Sequence, residues 1–190
     1  MLSNGDVLEI FKKSGALLEG HFKLTSGLHS GQYLEKFQVL QWPEYTGLLC
    51  KEIAERFKND NIGVVVGPVT GGIILAYETA KNLGVRGIFT EREEGKMTLR
   101  RGFKINPGER VLIVEDIITT GGSVLEVIEA LKTTGANIVG VGLLADRSGG
   151  KIDFGVRKEA LLTMKVENYQ AEKCPLCAKG VPLTKRGSKK

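Results

Sequence analysis

Apolar and polar positions along the chain follow two alternating rhythms. Val7, Leu8, Ile10 and Phe11 recur at helical spacing after Asn4, a candidate N-cap, and Gly15 supplies a stop. Residues 19–38 are rich in Gly, Ser, Thr, His and Tyr and lack a helical period, which predicts loop and short strands. A second helix is predicted from near Pro43, with Leu48, Leu49, Ile53 and Phe57 on one face. From there the pattern alternates. Residues 62–66 form a short β-branched run, followed by a glycine-rich turn over 67–72 and a helical stretch to Leu83. Residues 85–90 read as a strand, and 91–104 as a charged segment with two glycines and no apolar face. Residues 110–114 are continuously apolar; a Thr/Gly turn, a helix over 123–134 and a strand over 138–145 follow.

Strand, loop and helix thus repeat three times, and the strands are apolar throughout rather than alternating. That pattern predicts an α/β fold with a central, mostly parallel sheet flanked by helices. No internal repeat, linker or second domain interrupts it. Ligands of such sheets gather beyond the carboxyl ends of the strands. The segments directly after Val66, Thr90, Val114 and Ala145 therefore hold the candidate chemistry.

Composition narrows the reading. A chain of 190 residues, 42% of them hydrophobic, fits one domain with an ample core. No apolar run approaches the roughly 18 residues of a membrane span, and the mixed-charge first residues do not make a signal peptide. Three cysteines argue against a disulfide framework and for a cytoplasmic location. The net charge of +5 would suggest a polyanion partner. Six basic residues and no acidic ones lie in 173–190, however, which leaves −1 for residues 1–172. The expected organisation is one domain over 1–172, a basic C-terminal tail over 173–190, and no nucleic-acid or membrane partner.

The densest chemistry is in Val111-Leu112-Ile113-Val114-Glu115-Asp116-Ile117-Ile118-Thr119-Thr120-Gly121-Gly122-Ser123. A buried strand ends in two adjacent acids, then hydroxyl residues, two glycines and a helix start. Glycines let backbone N–H groups approach a ligand, and a helix N-terminus favours an anion, so the turn suits a phosphate monoester. The acids can accept hydrogen bonds from sugar hydroxyls. These thirteen residues resemble the phosphoribosyl-diphosphate signature of the type I phosphoribosyltransferases. Almost the whole chain is similar to the orotate-specific branch of that family, through Thr25-Ser26-Gly27, Gly67-Pro68 with Gly72, the charged segment 91–101 and Asp146-Arg147.

The resemblance implies a type I phosphoribosyltransferase fold with a core over about 41–150 and a small hood from about 1–40. It implies transfer of the ribose 5-phosphate group from phosphoribosyl diphosphate to orotate, giving orotidine 5-phosphate and diphosphate. Glu115, Asp116, Ile117, Ile118, Thr119, Thr120, Gly121, Gly122 and Ser123, with Gly71, Arg92 and Lys96, are then expected to bind phosphoribosyl diphosphate. Glu115, Asp116, Arg92 and Lys96 are expected to act in catalysis, and Thr119 and Arg147 to bind orotate. Mg²⁺ is expected as cofactor, carried mainly by the substrate with no protein-only cage. Residues 90–104 would form a mobile lid that in relatives often comes from a neighbouring subunit, which implies a homodimer.

Several positions depart from the pattern. Thr25 and Gly71 stand where orotate-specific members often carry lysine, with Lys23 a candidate replacement, and Lys96 is followed by Met97 and Thr98 in place of a Lys-x-His pair. His21 and His29, the two histidines, read as loop residues, and Cys174-Pro175-Leu176-Cys177 supplies only half of a four-ligand metal set. Two other readings share the fold: a purine phosphoribosyltransferase, which has no need of Arg147 for a carboxylate, and a non-catalytic sensor of phosphoribosyl diphosphate that binds RNA.

Overall fold

The computed structural model describes residues 1–24 and 26–186 of the chain. Thr25 and the basic Lys189 and Lys190 lie outside the described residues. The first helix, α1 (Asn4–Lys13), is capped by Ser3 and not by Asn4. The Ser3 hydroxyl accepts from the Asp6 N–H (3.2 Å) and the Asp6 carboxylate accepts from the Ser3 N–H (2.9 Å), which satisfies two helix-end donors reciprocally. The hairpin β1 (Leu17–Lys23) and β2 (His29–Leu34) follows, then the short α2 (Lys36–Leu40) and α3 (Pro43–Phe57). Pro43 opens α3 at the position where its missing N–H costs nothing.

The alternating core comprises β3 (Val64–Pro68), α4 (Gly71–Leu83), β4 (Arg86–Glu93), β5 (Lys96–Leu99), β6 (Arg110–Ile118), α5 (Gly122–Lys132), β7 (Asn137–Asp146) and β8 (Arg157–Thr163). These strands form one six-stranded sheet in the order β5-β4-β3-β6-β7-β8, parallel except for the β4–β5 hairpin. Both faces are covered, which explains the unbroken apolar runs. On one face Val65, Leu112 and Val114 pack with α1, α3 and α4 through Phe11, Leu49, Ile53 and Leu75. On the other, Val64, Val66, Val111 and Ile113 pack with α5 through Val124, Val127 and Leu131. Strands β3 and β6 thus contribute to two cores by period-two alternation.

Two expectations change. Residues 91–104 are not an apolar-free loop, since β4 and β5 close on a two-residue turn, Glu94-Gly95, both with positive φ as such hairpins require. Met97 and Ile105 are buried in the α5-side core, and Phe103 meets Phe89 edge to face. The segment 173–190 is likewise no free tail as far as Arg186. Beyond β8 the chain adds β9 (Asn168–Tyr169), a 3₁₀ turn (Ala171–Lys173), α6 (Pro175–Ala178) and β10 (Thr184–Lys185). Strands β10 and β9 flank the N-terminal hairpin in a second sheet, β10-β1-β2-β9, so both chain ends build the hood. Among the described residues no helix is long and apolar enough to cross a membrane.

At the carboxyl end of β7 the fully buried Asp146 carboxylate accepts from Lys158 Nζ of β8 at 2.8 Å and from the Ser148 hydroxyl at 2.6 Å. Burial opposes its ionisation, but these hydrogen bonds win and hold the carboxyl below its usual range. Removing the cation strands a buried charge. Lys158→Ala is expected to lower the unfolding free energy by about 3–5 kcal/mol, read from urea denaturation. Lys58→Ala, which breaks an exposed pair with Glu55, serves as the near-neutral control.

Candidate functional site

Strand β3 neighbours β4 on one side and β6 on the other, so the strand order reverses between β3 and β6. A parallel sheet opens a crevice outside the carboxyl ends at such a reversal. Two turns meet there. After β6, Thr119 and Thr120 lead to Gly121, which sits in left-handed conformation (φ 75°) as the N-cap of α5 and brings no capping side chain. A Cβ at Gly121 would come within 2.8 Å of the Phe154 ring. The first-turn N–H groups of α5 thus lack a side-chain acceptor beside a cavity of about 380 Å³. Residues 117–123 line that cavity together with Glu115, Arg92 and Glu126.

The second turn, after β3, is packed backbone on backbone. A Cβ on Gly67 would lie 2.1 Å from the Gly72 carbonyl oxygen, and one on Gly71 would lie 2.0 Å from Asp116 Oδ2. The Gly71 contact joins the two turns. A side chain at Gly71 would require the Asp116 carboxylate to shift.

Glu115 and Asp116 are both buried. Their partners are few: the Asp116 N–H donates to Glu115 (2.9 Å), the Ile117 N–H donates to Asp116 Oδ1 (2.7 Å), and Lys36 Nζ lies 2.9 Å from Asp116 Oδ2. Lys36, at the start of α2, escaped sequence reasoning because it lies 80 positions from its partner and in no motif. Burial and then the Asp116 charge push the Glu115 carboxyl up to about 8. Burial raises Asp116 as well, against the pull of Lys36. With Lys36 on Asp116, the pair carries its proton on Glu115 near neutrality.

Arg147 follows β7, and its N–H donates to the Ile118 carbonyl at 2.9 Å, which holds it against the end of β6. Asp146 is taken by Lys158 and is not its partner. Arg147 Nε is buried with no hydrogen-bond partner among the described residues, and burial pushes the guanidinium below its ordinary pKa. A buried N–H donor with no acceptor among the described residues is costly unless a ligand supplies one. Arg92 reaches the cavity from β4, held by Glu126 (2.6 Å) and the Gly95 carbonyl (2.9 Å). Lys96 does not line the cavity; it lies on an apolar groove with Met97 and Leu125. Arg100 and Arg101 pair with Glu93 and Glu91.

A second cluster went unread. His21, His29, Cys174 and Cys177 bring their ligand atoms within 4.8 Å of one another, and none lines the crevice cavity. The two-residue spacing of the cysteines was the visible signal; the histidines join them only through the hood sheet.

Comparison with known proteins agrees with this geometry. Residues 38–154 match the model of the phosphoribosyl transferase domain. The chain is 57% identical to an orotate phosphoribosyltransferase of Pelotomaculum thermopropionicum, covering all of both chains. It is 56% identical to one of Desulforamulus reducens, over 99% of this chain and 98% of that one. Among solved structures, the orotate phosphoribosyltransferase from Aeropyrum pernix superposes with a TM-score of 0.68 at 28% identity, over 84% of this chain and 94% of the other.

The buried acid pair makes stability depend on pH in a defined direction. Glu115 loses its proton near 4.5 when unfolded and near 8 when folded, so the folded state binds the extra proton between those values. Its contribution is full below about 4.5 and is lost as pH rises toward 8. Glu115→Gln removes that loss. The ligand-free variant is expected to gain on the parent as pH rises from 5 to 8.5, by about 1 kcal/mol or more, some 2–4 °C in melting temperature. A pH-independent difference between the two melting curves would contradict the raised value.

Proposed function

The chain belongs to the phosphoribosyltransferase family, and from that premise we propose that it transfers the ribose 5-phosphate group from phosphoribosyl diphosphate to orotate, in pyrimidine nucleotide synthesis. The observation that carries the choice of base is Arg147, whose buried Nε lacks a partner beside the turn that ends β6. A planar guanidinium is suited to a carboxylate, and orotate has one where purines do not. The purine and RNA-binding readings find no support in relatives of over 50% identity across the full chain, which are named as orotate enzymes.

The residues divide the work by position. Backbone N–H groups and hydroxyls of Thr119, Thr120, Gly121, Gly122 and Ser123 hold the 5-phosphate. Glu115 and Asp116 accept from the ribose hydroxyls, and the 67–72 turn, whose glycines keep the backbone bare, faces the diphosphate. The C1–O bond to diphosphate breaks as the C1–N1 bond to orotate forms, and the electron pair leaves with the diphosphate. Positive charge grows on C1 and the ring oxygen, close to the acids. Orotate carries its charge on the carboxylate, and the proton on N1 passes to the departing diphosphate or to solvent as the C1–N1 bond forms, so no strong base is needed. Catalysis then rests on positioning and on cations around the leaving group.

Arg92 serves there by exchanging Glu126 for a substrate oxygen. Lys96, which lies outside the cavity of its own chain, acts after closure of the β4–β5 hairpin or from a second copy; the working unit is a homodimer. Two buried carboxylates faced by one lysine form a hard-oxygen set that fits Mg²⁺ arriving with the diphosphate. The ion would neutralise leaving-group charge, its waters held by Glu115 and Asp116. The reaction is cytoplasmic.

An absorbance assay of orotate loss with phosphoribosyl diphosphate and Mg²⁺, with adenine, hypoxanthine and uracil as controls, tests the reading. Arg147→Ala is expected to raise the KM for orotate roughly 30-fold or more, the loss of a charge-assisted pair of about 2–3 kcal/mol. The KM for phosphoribosyl diphosphate should stay within about threefold. An unchanged KM for orotate in the variant would overturn the assignment of Arg147, and turnover of a purine but not orotate would overturn the proposal.

A further inference from the structure

We propose that His21, His29, Cys174 and Cys177 form a structural zinc site that locks the carboxyl-terminal segment onto the hood. The four side chains come from three separate pieces of chain. His21 lies on β1, His29 opens β2, and the cysteines bracket the first turn of α6, where Cys174 is the N-cap and its carbonyl accepts from the Ala178 N–H at 3.1 Å. One helical turn therefore presents both sulfurs to the same point, toward which the hairpin turns both imidazoles.

Distances favour a shared cation. His21 Nε2 and His29 Nδ1 are 2.9 Å apart. Cys174 Sγ lies 3.5 Å from His21 Nε2, and Cys177 Sγ lies 3.7 Å from His21 Nε2 and 3.3 Å from His29 Nδ1. Zinc bonds of about 2.0–2.1 Å to nitrogen and about 2.3 Å to sulfur put tetrahedral neighbours roughly 3.3–3.8 Å apart. The three sulfur–nitrogen spacings already fall in that range, the two nitrogens must open by about 0.4 Å, and all four donors lie within 4.8 Å of one another.

The surroundings fit the same reading. His21 Nδ1 is 2.8 Å from the Val181 carbonyl, which can only accept, so Nδ1 carries the proton and Nε2 keeps its lone pair for the metal. His21, His29 and Cys174 are buried while Cys177 is exposed, so three donors are fixed and the fourth gives an entry path. Two thiolates, two neutral imidazoles and one divalent cation sum to a neutral group, which burial tolerates. A Cys174–Cys177 disulfide would leave two buried imidazoles facing only each other. A closed set of two nitrogens and two sulfurs points to zinc in a structural role. The position gives that role a purpose: β2 runs from His29 toward Tyr33 and Lys36, the latter bonded to Asp116.

The test uses the full-length chain without a histidine tag, purified under reducing conditions and analysed for metals by mass spectrometry. About one zinc per chain is expected, retained through dialysis and lost in Cys174→Ser/Cys177→Ser. Replacement by Co²⁺ should give thiolate charge-transfer and tetrahedral ligand-field bands, and strong chelators should lower the melting temperature by several degrees. If the double variant fails to fold, metal content and the cobalt spectrum of the unmutated chain still decide. A chain that holds no zinc and gives no tetrahedral cobalt spectrum overturns the proposal, as does a Cys174–Cys177 disulfide in the reduced preparation. Neither readout depends on transferase activity, so failure here leaves the proposed reaction untouched.

Discussion

Everything at the crevice depends on keeping two adjacent carboxylates out of water at the end of a central strand. Burial raises the cost of ionising Glu115 and Asp116, and the fold offers only Lys36 and two backbone N–H groups in return. That shortfall is tolerable for a group that completes its bonding when substrate arrives. It also dictates the neighbours. Gly71 must have no side chain because Asp116 occupies the place of its Cβ, and Gly67 and Gly72 must let two backbones touch. The turn at Gly121 follows within five residues of Asp116, so the acid pair and the turns after β3 and β6 form one packed unit.

The same economy appears at the end of β7. Asp146 is satisfied by Lys158 and Ser148, while its neighbour Arg147 has a buried nitrogen with no partner among the described residues. One residue of the pair serves stability, and the next keeps a donor open for the ligand proposed above. The hood bears on both sites. Lys36 follows directly on strand β2, and Tyr33 of that strand is near enough to Arg147 for each to perturb the other. The cluster of His21, His29, Cys174 and Cys177 sits near the turn end of the same hairpin.

Much of this was legible in the sequence. The core strands and helices announced themselves because β3, β6 and β7 are buried on both faces and so are continuously apolar. The turn that lines the crevice was legible because its residues are local: acids, hydroxyls and glycines within thirteen residues. What escaped depended on distant pairing. Strand β8 was hidden by Arg157, Lys158 and Glu159, whose charges answer Asp60, Asp146 and Arg56 on other elements. The β4–β5 hairpin read as a segment without an apolar face because most of residues 91–104 are charged and its apolar anchors, Met97 and Phe103, are single residues. Lys36 met Asp116, and the histidines met the CxxC pair, only through tertiary structure.

The central claim is that the buried acid pair holds a proton that substrate binding displaces, as Glu115 becomes an acceptor for the ribose. Calorimetric titration of Mg²⁺ and phosphoribosyl diphosphate at pH 7.5, repeated in buffers of different ionisation enthalpy, counts that proton directly. The account predicts that the parent chain releases most of one proton more than Glu115→Gln does, given a free-state value of about 8. Equal proton release by the two chains would contradict it, since Glu115 would then be ionised before substrate arrives.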